Sequence, residues 1–186
     1  MPIKQIREKL ARNLSKKRFK HSVGVSNTAE ALARRYQCSP KKAKLAGLLH
    51  DCARELTSNL LLSTAEGFGI VVGDIERHQT VLLHARVGAK MAEADYGVTD
   101  GEISRAIALH TTGGPAMTLL DKIVFLADVI EPGRSFPGVE AIRLLAEQDL
   151  DKALLAAYNQ TIVSLAGNNS LIHPDTIIGR NELLLS

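Results

Sequence analysis

The stretch KLAGLLHDCAREL at 44–56 ends an apolar run in His50 and Asp51, two adjacent polar side chains that can both bind a metal. The same habit recurs at His21 in FKHSVGV, His84 in VLLHARVGA, His110 in AIALHTTGG and Asp128 in KIVFLADVI. A lone histidine in such a setting is more often a core residue with its own hydrogen bonds than a ligand. Six such residues on five separate segments shift that balance. Scattered, each would need its own partners; gathered around one or two cations, all are satisfied together while the carboxylates neutralise part of the metal charge. Four imidazoles and two carboxylates suit a transition metal such as iron or manganese, and the near absence of thiolate argues against a structural zinc site. Neighbouring helix positions point about 100° apart, so Asp51 can bridge two ions while His50 binds one. His78 in ERHQT and His173 in LIHPD lie in polar or loop-like surroundings and stand apart from this set.

Helices must carry these residues. Ser39-Pro40 supplies an N-cap and a residue suited to the first helical position, ahead of KKAKLAGLLHD. Thr99 followed by Glu102 reads as a capping box before ISRAIALH. Asp149 can open LDKALLAAYNQTIVSLAG, which Gly167 can close as the residue after the last turn. No series of alternating strands with hairpin turns occurs, and GIVVGDI is too short to establish a sheet. The expectation is an all-α fold of roughly eight to ten helices, a single helical-bundle domain over 1–186. Two glycine- and proline-containing loops, TTGGP and EPGRSFPG, follow directly on His110 and nearly directly on Asp128.

Composition bounds the rest. The 186 residues hold enough apolar content for a sizeable core, and the two cysteines, Cys38 and Cys52, form no zinc or disulfide pattern, which suits a reducing compartment. No apolar segment is long enough to span a bilayer and the first twenty residues lack the apolar centre of a signal peptide, so the reading is cytoplasmic, with no membrane partner. The net charge is only +3, but the run KKRFK at 16–20 can attract phosphates. With no tryptophan and few aromatics, single-stranded nucleic acid is poorly supplied with stacking platforms and is not a favoured partner. A homodimer is left open.

The order His21, His50-Asp51, then Asp128 resembles the HD-domain metal-dependent phosphohydrolases. HTTG at 110–113, LLDKIVFLADVIEPGR at 119–134, RFKHSVGV near the start and HPDTIIGRN near the end resemble the bacterial YqeK family, which hydrolyses symmetrical dinucleoside tetraphosphates. The resemblance runs from about Arg18 to Asn181. It implies the helical HD fold, iron as the metal, and one ion held by His21, His50, Asp51 and Asp128, with a second held by Asp51, His84 and His110. Many HD proteins carry lysine three residues after the doublet's aspartate, where this chain has Arg54; a catalytic contact to phosphate is expected of it, through a planar fork instead of a point charge.

The implied reaction is attack by metal-activated water within the tetraphosphate bridge of diadenosine tetraphosphate, releasing two ADP. A symmetrical cut needs the other phosphates positioned. Arg18, Lys20 and Arg134 suit that task, Thr111, Thr112 and Gly113 offer hydroxyls and backbone N–H groups, and Lys122, beside Asp121, is a further substrate-binding candidate. The rival readings are an HD phosphohydrolase of nucleoside monophosphates or a guanosine alarmone, and a non-catalytic nucleotide- or RNA-binding module that contacts its ligand through KKRFK.

Overall fold

A computed structural model of the chain describes residues 1–185. Among them are eleven α-helices and no strand: α1 (Ile3–Asn13), α2 (Lys16–Arg35), α3 (Pro40–Leu49), α4 (Ser58–Gly67), α5 (Asp74–His78), α6 (Leu83–Tyr96), α7 (Gly101–Leu109), α8 (Leu119–Ile130), α9 (Val139–Ala146), α10 (Leu150–Gly167) and α11 (Pro174–Leu185), with a 3₁₀ turn at Thr80–Leu82. The count exceeds the sequence expectation because short pieces such as α5 and α9 carry too little periodic pattern to be read alone. Within GIVVGDI, Gly69 is a turn residue, residues 70–73 form no strand, and Asp74 and Ile75 already belong to α5.

Side-chain caps set several helix starts. Ser15 accepts from the Arg18 amide at 3.3 Å to open α2, and Ser39 accepts from Lys42 to open α3 with Pro40 at its first position. At α7 the cap is Asp100, not Thr99: its carboxylate accepts from the Glu102 amide at 3.0 Å, displacing the expected box by one residue. Thr118 and Asp121 form a true capping box at α8, each side chain reaching the other's amide. Asp149 opens α10 as the sequence indicates, while Gly167 is its last residue and Asn168 the cap.

The core forms where α2, α3, α7 and α8 meet, with α6 packed on α7 and with α10 joining α8, α9 and α11. Leu10, Val25, Leu49, Ile107, Ile123, Leu126 and Leu154 lie at its centre. Helix α8 is apolar nearly all round and is buried along most of its length, as a central helix should be. A smaller cluster, Ala53, Leu61, Ala65, Leu83 and Val87, ties α4 to α6. Gly47 permits the close approach of α2 and α3: a Cβ there would stand 3.0 Å from both Ser26 Cα and the Val25 carbonyl oxygen. That approach brings His21 and the end of α3 together. No described helix is long and apolar enough to cross a membrane.

Candidate metal centre

The six ligand candidates arrive from five helices or their ends. His21 lies inside α2 and Asp128 inside α8; His84 is the second residue of α6; His50 and His110 cap the C-termini of α3 and α7, and Asp51 follows in the turn after α3. Helix ends are suited to this because their last carbonyls lack intrahelical donors. His50 Nδ1 donates to the Gly47 carbonyl at 2.8 Å, His110 Nδ1 to that of Ile107 at 2.7 Å, and His84 Nδ1 to that of Val81. A carbonyl can only accept, so each of these rings carries its proton on Nδ1 and, when neutral, turns a bare Nε2 inward.

All four Nε2 atoms converge. His50 Nε2 stands 3.2 Å from His21 Nε2, and His84 Nε2 stands 3.1 Å from His110 Nε2. Facing lone pairs repel unless a cation or a proton lies between them, so this donor set fits a metal site. The carboxylates complete it. Asp51 presents Oδ2 to His50 at 3.3 Å and His21 at 3.7 Å, and Oδ1 to His84 at 3.1 Å and His110 at 3.7 Å. Asp128 Oδ1 lies 2.9 Å from His21 Nε2. The candidate ligand atoms fall into overlapping groups: His21, His50 and Asp51; His50, His110 and Asp128; and Asp51, His84 and His110.

His50, Asp51, His84 and His110 are each at most 4% exposed, so charge here is governed by neighbours. Burial opposes ionisation of Asp51, but the charge of His50 and hydrogen bonds from His110, His50 and His84 outweigh it and hold the carboxyl well below the usual carboxylate range. Asp128 is likewise held low against burial, through His21, His50 and Arg134. Burial would lower His21 and His110, yet Asp128 raises the first and Asp51 the second, while burial wins at His84 and lowers it.

Two cavities flank the cluster and share Arg134. One of about 660 Å³ is lined by Lys17, Arg18, Lys20, His21, Glu131 and Arg134. The other, about 390 Å³, is lined by His110, Asp128, Phe136, Gln160 and Ser164, among others. Arg18 Nη1 lies 2.7 Å from Asp51 Oδ2, and Arg134 holds both the Asp128 carbonyl, at 2.7 Å, and its carboxylate. Thr111 Oγ1 sits 3.0 Å from His110 Nε2 and 3.3 Å from His84 Nε2.

Four sequence candidates are placed differently. The Gly113 N–H donates to the Leu109 carbonyl at 2.8 Å, so it has no bond left for phosphate. Glycine is needed there for another reason: φ is +63°, and a Cβ would overlap the Tyr158 hydroxyl. Thr112 turns its hydroxyl to the Gly113 carbonyl and its own carbonyl to Thr176, away from the cluster. Lys122 pairs with Asp151 at 2.7 Å and lines shallow cavities beside α10 and α11. Arg54 donates its amide to the Asp51 carbonyl at 2.9 Å, and its side chain lines neither cavity. Asp121 caps α8 and pairs with Arg105 at 3.3 Å. His78 ends α5, and His173 accepts from the Asp175 amide, both apart from the cluster.

Two further residues at the site were not among the sequence candidates. Glu131 lies 3.1 Å from His21 Nδ1. Arg143, from α9, donates to the carbonyls of Ile130, Glu131 and Arg134 and so pins the loop that holds Arg134. The EPGR run holds the signal for the first; the second depends on where α9 returns, which spacing does not give.

The HD domain family matches residues 18–133, which span this centre. The symmetrical bis(5'-nucleosyl)-tetraphosphatase of Halalkalibacterium halodurans is 40% identical, with 93% of this chain and 92% of that protein covered. The protein of the same name from Bacillus subtilis is also 40% identical, over 92% of this chain and 91% of its own. A solved structure from Clostridium acetobutylicum, described as a "predicted HD superfamily hydrolase involved in NAD metabolism", superposes with a TM-score of 0.97 at 40% identity, covering 100% of this chain and 98% of that one. With an HD match over most of its helices and such relatives along nearly its whole length, the chain belongs to the HD-domain proteins and, among them, to the YqeK family.

Proposed function

We propose that this chain hydrolyses diadenosine tetraphosphate symmetrically to two ADP at a centre of two transition-metal ions, iron or manganese, acting as one domain in the cytoplasm. The observation that carries the reading is the division of labour at Asp51, whose two oxygens face two different sets of imidazoles. The relatives named for this activity support the substrate. When bound, the ions would lower the pKa of a water and neutralise charge on the attacked phosphoryl group.

The chain's own residues do the rest. His21, His50, Asp51 and Asp128 would hold one ion, and Asp51, His84 and His110 the other. Arg18 and Arg134 line the larger cavity, where their guanidinium groups can bind the phosphates that do not react. Thr111 can donate a hydroxyl between the second ion's ligands and the substrate. The smaller cavity, with Phe136, Gln160 and Ser164, has the mixed apolar and hydrogen-bonding lining that a nucleoside needs. A linear substrate laid across Arg134 would reach both cavities and bring the middle of its phosphate bridge to the cluster.

Product analysis tests this. Incubation of iron- or manganese-loaded protein with diadenosine tetraphosphate should give two ADP per substrate. ATP plus AMP would overturn the positioning of the bridge, and no product from either loaded sample would overturn the substrate.

A further inference from the structure

His21 differs from the other three imidazoles in where it sits. The others lie at or beside helix ends, each with a backbone carbonyl three residues earlier to take its Nδ1 proton. His21 lies inside the twenty-residue helix α2, where the preceding carbonyls are spent on the helix's own hydrogen bonds. Its Nδ1 faces a side chain instead: Glu131 Oε1, 3.1 Å away, at the C-terminal cap of α8.

The surroundings of that carboxylate hold it in place. Glu131 is 5% exposed. Its Oε2 accepts from the Gly133 amide at 2.6 Å, and its backbone carbonyl accepts from Arg143 at 2.8 Å. Two glycines make room for it: a Cβ on Gly24 would stand 2.5 Å from Oε2, and one on Gly133 would stand 2.7 Å from Oε1. Gly24 lies one turn beyond His21 on α2, so one helix supplies both the ring and the space for its partner.

We infer that Glu131 is a positioning residue of the metal centre, taking the Nδ1 proton of His21 in a hydrogen bond so that Nε2 is fixed as the ligand atom facing Asp128 and His50. An ionised carboxylate only accepts, so it selects the Nδ1–H tautomer, orients the ring and makes it a stronger donor to a cation. The inference rests on the metal-centre reading given above.

The test compares wild type with Glu131→Gln and Gly24→Ala. Glutamine keeps the shape, but its carbonyl can accept from only one of His21 and the Gly133 amide, leaving its NH₂ against the other donor. Gly24→Ala changes neither Glu131 nor any candidate ligand in identity, but its Cβ would push the Glu131 carboxylate from its seat. Titration of metal-free protein with Mn²⁺ should show a dissociation constant raised about tenfold or more in both variants. Nitrogen NMR of neutral His21 in metal-free protein should show the Nδ1–H form in wild type and a shift towards the Nε2–H form in Glu131→Gln. Unchanged Mn²⁺ affinity in Glu131→Gln would overturn the inference. So would weaker binding with the His21 tautomer unchanged and the metal-free melting temperature lowered, since that marks a helix cap alone. Failure of wild type itself to bind Mn²⁺ would overturn the metal centre, and it is told apart because the tautomer is read without metal.

Discussion

Arg18 Nη1 lies 2.7 Å from Asp51 Oδ2, the oxygen that also faces His21 and His50. The guanidinium therefore sits where it can meet a phosphate, at the edge of the cluster, while adding positive charge next to a cation site. These two effects have opposite signs for metal and substrate. Arg18→Ala should bind Mn²⁺ at least as tightly as wild type, while KM for diadenosine tetraphosphate rises about tenfold or more, the scale of one lost charge-assisted bond. Metal titration and steady-state kinetics on the same preparation check both.

The smaller cavity predicts a different split. Gln160 lines it without touching a ligand candidate. Gln160→Ala should raise KM several-fold with metal content and kcat close to wild type, as expected when binding is lost equally from ground and transition states. A fall in kcat without a change in KM would place Gln160 nearer the reacting phosphates than the cavity suggests.

The histidine shifts fix the sign of a pH effect. His21 and His110 are raised above 6.5, so in metal-free protein their bound protons contribute stability that is fully present below pH 6.5 and lost as pH rises through the raised values. Metal must displace those protons. The rise in melting temperature on adding Mn²⁺ should therefore be small at pH 6 and larger at pH 8. A series of thermal melts in matched buffers reads this directly; a rise that shrinks with pH would contradict the ligand assignment.

Cys52 offers a check on the core. Burial pushes its thiol up to about 12, and the Sγ is turned to the Gly88 carbonyl at 3.3 Å. At pH 8 the thiol therefore stays protonated and unreactive. Native protein at pH 8 should react with a thiol reagent first at the partly exposed Cys38, and at Cys52 only on a timescale set by opening of the fold.

Most of the candidate cluster was legible because burying an imidazole or carboxylate is costly, which makes His50, Asp51, His84, His110 and Asp128 conspicuous within apolar runs. The helical fold was legible from caps such as Ser39 and Asp149, which act locally. Loop chemistry was not. Whether the Gly113 amide is free depends on a turn that hands it to Leu109, and whether Lys122 meets substrate depends on Asp151 lying across from it on α10. The meeting of Glu131 with His21 could not be read either, because it needs an approach of α2 to the end of α8, more than a hundred residues apart in the chain.

In the proposed centre Asp51 is shared by two ions, with His21, His50 and Asp128 on one and His84 and His110 on the other. Elemental analysis of anaerobically iron-loaded protein, wild type beside Asp51→Ala, measures it most directly. Two ions per chain are expected in wild type, and at most one, with activity lost, in the variant. One ion per chain in fully loaded, active wild type, or two in an active Asp51→Ala, would contradict it.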